Sequence, residues 1–292
     1  MDKANPLGDF LRARRNAVTP DDVGLLPGTR RRVPGLRREE LALLAGISPD
    51  YYLRLEQGRD RHPSRQVLDA LSAALRLDEA ATAHLHGLAS APTRRKVRRR
   101  VERVPAGIAQ LVDEMPMPAY VVGAYFDVLA ANRMARALSP TFTPGRNILR
   151  QLFLNPADRA LYVDWERVAA GTVAGLRSKT TTDPDDPALA ELVGELSIHS
   201  EPFRRLWARA DVTHGRNGAS HMDHPQVGEL HLHHEKLDLG TGDGMQLVIH
   251  HASPRTDSAQ SLMLLGTLAA TSDHKQAPPT SKPTAATEIF RK

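Results

Sequence analysis

The chain contains no cysteine, which excludes a disulfide framework, a thiolate metal site and a cysteine nucleophile together, and with them redox and zinc-ribbon readings. No apolar run approaches the roughly eighteen residues that a membrane span needs. The opening residues MDKANPLGDFLRARRN lack the apolar centre of a secretion signal, so the expected location is the cytoplasm, with no membrane partner. Also missing are a Gly-x-Ser-x-Gly elbow, a phosphate-binding glycine loop that opens a helix, and a His-Glu-x-x-His pair. Gly240-Thr241-Gly242-Asp243-Gly244 lies between two strand patterns with no helix after it and reads as a hairpin turn.

What is present is enough for about two domains: 292 residues, 41% of them apolar. The net charge of +5 is unevenly spread. Residues 1–103 hold 21 Lys+Arg against 13 Asp+Glu, net +8, so the remainder holds 18 against 21, net −3. A basic module joined to a mildly acidic one suggests an anionic partner for the first and a different task for the second.

Residues 7–89 show short helical stripes: Leu7, Phe10 and Leu11; Leu41, Leu44 and Ala45; Val67, Leu68, Leu71, Ala74 and Leu75; and Ala81, Leu85 and Leu88. Ser64 and Asp78 are the expected N-caps of the last two. The segment 17–35 is punctuated by Pro and Gly and carries Arg30-Arg31-Arg32, either a solvated tip or a phosphate clamp. Six cations in seven residues from Arg94 form a self-repelling linker. From about 105 strand patterns appear at 119–122 and 126–130 and again at 228–234 and 245–250, with helical segments near 147–153, 157–178, 187–196 and 201–209 between them. This predicts an α+β domain on a small antiparallel sheet. The expected division is 1–90, linker 91–104, 105–270, and a disordered tail 271–292.

Within the basic module, Gly46-Ile47-Ser48-Pro49 stops one helix and starts another. A helix-turn-helix needs an open backbone conformation at the corner and a small residue where the helices touch; Gly46 and Ala42 supply them. Ser48 caps the second helix and Pro49 takes its first position. That helix would enter the major groove of double-stranded DNA. Pro49, Asp50, Tyr51 and Arg54 point away from Tyr52 and Leu55 and are the expected readers, Arg54 bonding guanine and Asp50 accepting from a cytosine amino group. Arg38, Arg59 and Arg61 are expected near the phosphates. The alternative is a plain αα-corner without a DNA partner.

The run Pro34-Gly35-Leu36-Arg37-Arg38-Glu39-Glu40-Leu41-Ala42, with Leu44-Ala45-Gly46-Ile47-Ser48, Tyr51-Tyr52 and Leu55-Glu56-Gln57-Gly58-Arg59-Asp60, resembles the Xre-type helix-turn-helix of MmyB-like bacterial transcription regulators. Pro118-Ala119-Tyr120-Val121, Asp127 to Asn132, Phe203-Arg204-Arg205-Leu206-Trp207 and His224 to Leu230 resemble that family's second domain. The resemblance implies a lambda-repressor-like all-α domain, a PAS-like domain that binds a small, fatty-acid-like ligand, and control of nearby genes. Phe126 stands where the family usually has Trp, and His234 where an aromatic is usual, so the ligand is expected to differ.

Tyr120 and Phe126 on the expected sheet, and Trp165 and Trp207 on helical segments, are the ligand-contact candidates. His221, His224, His231, His233, His250 and His251 have no diagnostic metal spacing and read as surface or core residues, so no metal or cofactor is assigned. The expected function is a homodimeric, ligand-responsive transcription regulator, a repressor rather than an activator. The alternatives are an enzyme localised to DNA by its basic domain, and a protein-binding module.

Overall fold

A computed structural model describes residues 5–25, 33–60, 62–89, 102–179, 186–213, 217–240 and 244–276. Among these, the first unit consists of α1 (Pro6–Ala17), α2 (Arg38–Leu44), α3 (Pro49–Glu56), α4 (Arg65–Ala74) and α5 (Glu79–Ala89). Their starts follow from capping chemistry. The side chains of Asn5, Ser48 and Ser64 accept from the backbone N–H groups of Gly8, Tyr51 and Val67, and Asp78 accepts from Ala81 at 2.8 Å, which satisfies donors that helix geometry leaves unpaired. The apolar stripes converge on one core in which Leu11, Leu41, Ala42, Tyr52, Leu55, Leu71 and Leu85 are fully buried. Truncating one such leucine to alanine costs about 2–5 kcal/mol.

The second unit contains α6 (Ala106–Glu114), β1 (Ala119–Val122), β2 (Val128–Ala131), α7 (Arg133–Leu138), α8 (Ile148–Leu154), α9 (Pro156–Leu161), α10 (Trp165–Lys179), α11 (Pro187–His199), α12 (Glu201–Ala208), β3 (Asn217–His224), β4 (Gly228–Asp238), β5 (Gln246–His251) and α13 (Asp257–Gln276). The strands form one antiparallel sheet in the order β2-β1-β5-β4-β3, the α+β, PAS-like arrangement. Strand alternation divides the side chains between two faces. Tyr120, Val122, Leu230, Leu232 and Val248 face a core shared with α7 and α13, while Ala119, Val121 and Leu247 meet Val112 of α6 on the other side. A third cluster joins α8, α10, α11 and α12 through Leu149, Leu176, Leu196 and Phe203.

Several boundaries differ from the sequence reading. Phe126 is not in a strand but in the β1–β2 turn, at φ +68°, where Phe126 N donates to Gly123 O. The expected helix over 157–178 is broken at 162–164, because Tyr162 bridges to Met222 and Val163 N donates to His221 O at 3.0 Å. Strand β3 was not expected. It is an edge strand that buries only Ser220, Met222 and His224, too little apolar surface to register as a pattern. Helix α13 continues to Gln276, into the stretch assigned to the tail. Residues 277–292, the basic run from Arg94, Arg30–Arg32 and Arg61 lie outside the described residues.

The two units touch. Arg14 of α1 pairs with Asp211 at 2.9 Å, Ala210 and Val212 are buried in the core of the first unit, and α10 packs against α5.

Candidate functional site

The corner between α2 and α3 is built as its residue types require. Gly46 has φ +65°, a left-handed conformation that disfavours any residue with a Cβ. Ile47 N donates to Ala42 O at 3.0 Å, and Ala42 is fully buried where the helices meet. Pro49, Asp50, Arg54 and Arg59 are exposed and Tyr51 is half-buried against the core. Asp50 and Arg54, expected to act as separate readers, pair with each other at 2.5 Å, and the Arg54 guanidinium lies 5.6 Å from the Tyr51 ring centre. The first two turns of α3 therefore display one preassembled acid–base unit.

Beneath α3 lies a buried ion cluster. Glu56, only 1% exposed, accepts from Arg15 Nε at 2.9 Å, Arg38 Nε at 2.6 Å and the Tyr52 hydroxyl at 3.1 Å. Arg15 also donates to Leu36 O at 2.7 Å, and Asn5 donates to Glu56 O at 2.9 Å. Burial acts to raise the Glu56 carboxyl, but the Arg38 and Arg15 guanidiniums outweigh it and hold it below its ordinary value. The cluster ties α1, α2 and α3 into one rigid body. Arg38, expected to face phosphates, has its Nε committed inward to Glu56, although its side chain is still 45% exposed. Its guanidinium can serve the cluster and an external phosphate together, because it carries five donors.

The second unit holds a cleft with about 690 Å³ of empty space, mouth included, between the inner face of the sheet and α8, α9 and α10. Tyr120, Phe126, Phe142, Ile148 and Val248 provide apolar wall, and Thr141, Asp158, Ser220, His234, Lys236 and His250 provide polar groups. Tyr120 stacks on Phe142 at 4.3 Å, and its hydroxyl lies 3.3 Å from His250 Nε2. Burial pushes His250 down to about 3 and His234 down to about 4, so both rings are neutral at pH 7. Burial also lowers Lys236. Gly218 faces His234 across the β3–β4 ribbon; a Cβ there would come within 2.6 Å of the imidazole, so that glycine makes room for the ring.

Of the four ligand-contact candidates, Tyr120 and Phe126 line this cleft and the two tryptophans do not. Trp165 donates to Leu152 O at 3.1 Å and packs in the third core cluster. Trp207 stacks on Phe203 and under the Arg177 guanidinium at 3.9 Å. Both pack in the helical cluster, away from this cleft. Sequence reasoning marked His234 only as a departure from the family pattern, read His250 as a surface or core residue, and did not single out Lys236. Continuing the inward parity of Leu230 and Leu232 along β4 reaches His234 and Lys236, a signal the sequence did contain.

Comparison with known families supports the division seen in the structure. A helix-turn-helix domain family matches residues 6–85. The MmyB-like transcription regulator ligand binding domain matches residues 104–265, more than half of the chain. No curated protein matches the chain. With its amino-terminal helix-turn-helix and its PAS-like cleft domain, the chain belongs to the MmyB-like transcription regulators.

Proposed function

We propose that the protein is a repressor that binds an inverted repeat in double-stranded DNA as a homodimer, and that a fatty-acid-like ligand in the cleft sets its DNA affinity. Pro49, Asp50, Tyr51 and Arg54 read base edges, while Ser48, Arg38, Arg59 and Arg61 lie at the phosphate backbone. One recognition helix covers only a few base pairs, so useful specificity calls for two copies.

The observation that carries the ligand linkage is the position of α10. Its Val168 and Thr172 line the cleft, and the same helix packs against α5 of the helix-turn-helix unit. A ligand that spreads or draws in α10 therefore acts on the seat of the first unit, including the Arg14–Asp211 pair. It shifts DNA affinity only by its different affinity for the two arrangements. The ligand's charge follows from Lys236. The Asp158 carboxylate that also lines the cleft is held by Ser139, Thr141 and Asn155; among the described residues no carboxylate pairs with the Lys236 ammonium, and a largely apolar cleft with that desolvated cation suits a carboxylate on a hydrocarbon body.

The test is an anisotropy titration of duplex DNA from the chain's own upstream region, with and without a straight-chain carboxylic acid. The expected result is an at least five-fold change in Kd in the wild type that is lost in Lys236→Met. An unchanged Kd despite saturating acid, or a full response in Lys236→Met, contradicts the linkage.

A further inference from the structure

The opposite face of the β3–β4 ribbon carries a second cluster. Strand parity that turns Leu230, Leu232 and His234 inward turns Glu229 and His231 outward. In the antiparallel register His221 of β3 is the direct partner of His231, and the two imidazoles stack at 4.1 Å with 22° between their planes. Glu229 Oε2 lies 3.8 Å from His221 Nε2. One donor atom from each of the three side chains lies within 4.8 Å of the others.

We infer that His221, Glu229 and His231 form a binding site for a divalent cation of the zinc class, with the remaining coordination positions left to water. The distances support it: for three atoms within 4.8 Å of one another some point lies within about 2.8 Å of all three, while Zn–N and Zn–O bonds are about 2.0–2.2 Å. Contraction of under about 1 Å closes the site, within the reach of side-chain rotation. The donor set selects the ion. Two imidazoles with one carboxylate suit Zn²⁺ and its neighbours, whereas Mg²⁺ and Ca²⁺ prefer oxygen alone.

Two further features point to a ligand. His221 Nε2 is shielded from solvent and, among the described residues, has no hydrogen-bond partner; a nitrogen in that state is costly unless something fills its lone pair. The backbone of both histidines is also braced from outside the ribbon. His231 N donates to Ser258 Oγ at 2.9 Å at the start of α13, and His221 O accepts from Val163 N at 3.0 Å. A cross-strand ring pair alone would add only to sheet stability and would bind no ion.

The control lies on the same sheet face. His233 and His251 also stack, at 5.4 Å, but outside this donor set. The full chain, stripped with a chelator, is titrated with Zn²⁺ alone by calorimetry. The expected result is one ion per chain, with affinity about 100-fold weaker in His221→Gln and in His231→Gln and unchanged in His233→Gln. Circular dichroism in chelator confirms that each variant is folded. No binding by the wild type overturns the assignment, as does a wild-type titration by both His221→Gln and His231→Gln, or an equal loss in His233→Gln.

Discussion

Replacing Glu56 by glutamine removes one negative charge and leaves the volume nearly unchanged. Three donors lose their common acceptor charge: Arg15, whose side chain is 9% exposed, Arg38, and the Tyr52 hydroxyl. Breaking a buried ion pair by removing one partner costs about 3–5 kcal/mol. Arg15 keeps Leu36 O and Arg38 is half-exposed, so the lower end applies, about 3 kcal/mol. For a helical unit of this size each kcal/mol moves the melting midpoint by about 4–8 °C, so the first unit should melt at least about 12 °C lower. Operator affinity should fall with it, because the cluster holds α3 against α1 and α2. Differential scanning calorimetry of Glu56→Gln beside the wild type is the assay. A midpoint within about 3 °C of wild type would show that the cluster does not hold the recognition helix in place.

Arg38→Ala removes one donor from Glu56 and the proposed phosphate contact; we expect a stability loss of about 1.5–3 kcal/mol and a salt slope of operator binding shallower by about one, read by calorimetry and by titrations at several salt concentrations. Acidification should destabilise the second unit. His250 and His234 sit at about 3 and about 4 in the folded protein against 6.5 ordinarily, so the unfolded chain binds more protons below 6.5. Stability is then lost as pH falls from 6.5 towards 4, by up to about 1.4 kcal/mol per pH unit for each ring, and His250→Phe should flatten that slope in urea titrations. Gly218→Val should displace the His234 ring and weaken binding of a carboxylic acid at least ten-fold by calorimetry, with the operator affinity of the ligand-free protein unchanged.

The helix-turn-helix was legible because its signals are local: a left-handed glycine, a serine cap, a proline at the first helical position and an apolar period all fall within about twenty residues. The cleft was only partly legible. Tyr120 stood out within an apolar strand and His234 closed the expected strand 228–234, but Lys236 reaches the cleft only once β4 is seen to run to Asp238, past the point where its apolar pattern stops. That Trp165 and Trp207 lie outside the cleft was not legible, because helical apolar faces look alike whether they turn to a cleft or to another helix. Glu56 was hidden for a related reason. A glutamate at a helix end normally reads as solvated, and only the return of α1 and α2 brings Arg15 and Arg38 to it. The His221–His231 pair depended on the register of β3, a strand with too few buried apolar residues to be recognised.

The proposed regulator depends above all on the exposed start of α3 reading DNA sequence. Its most direct test is the affinity of Arg54→Ala for the specific site and for random duplex at one salt concentration. We expect a loss of about 1–3 kcal/mol on the specific site, concentrated at a single base pair in a substitution scan, with little change on random DNA. Equal weakening on both sequences would mean that α3 touches only the phosphates, and would contradict it.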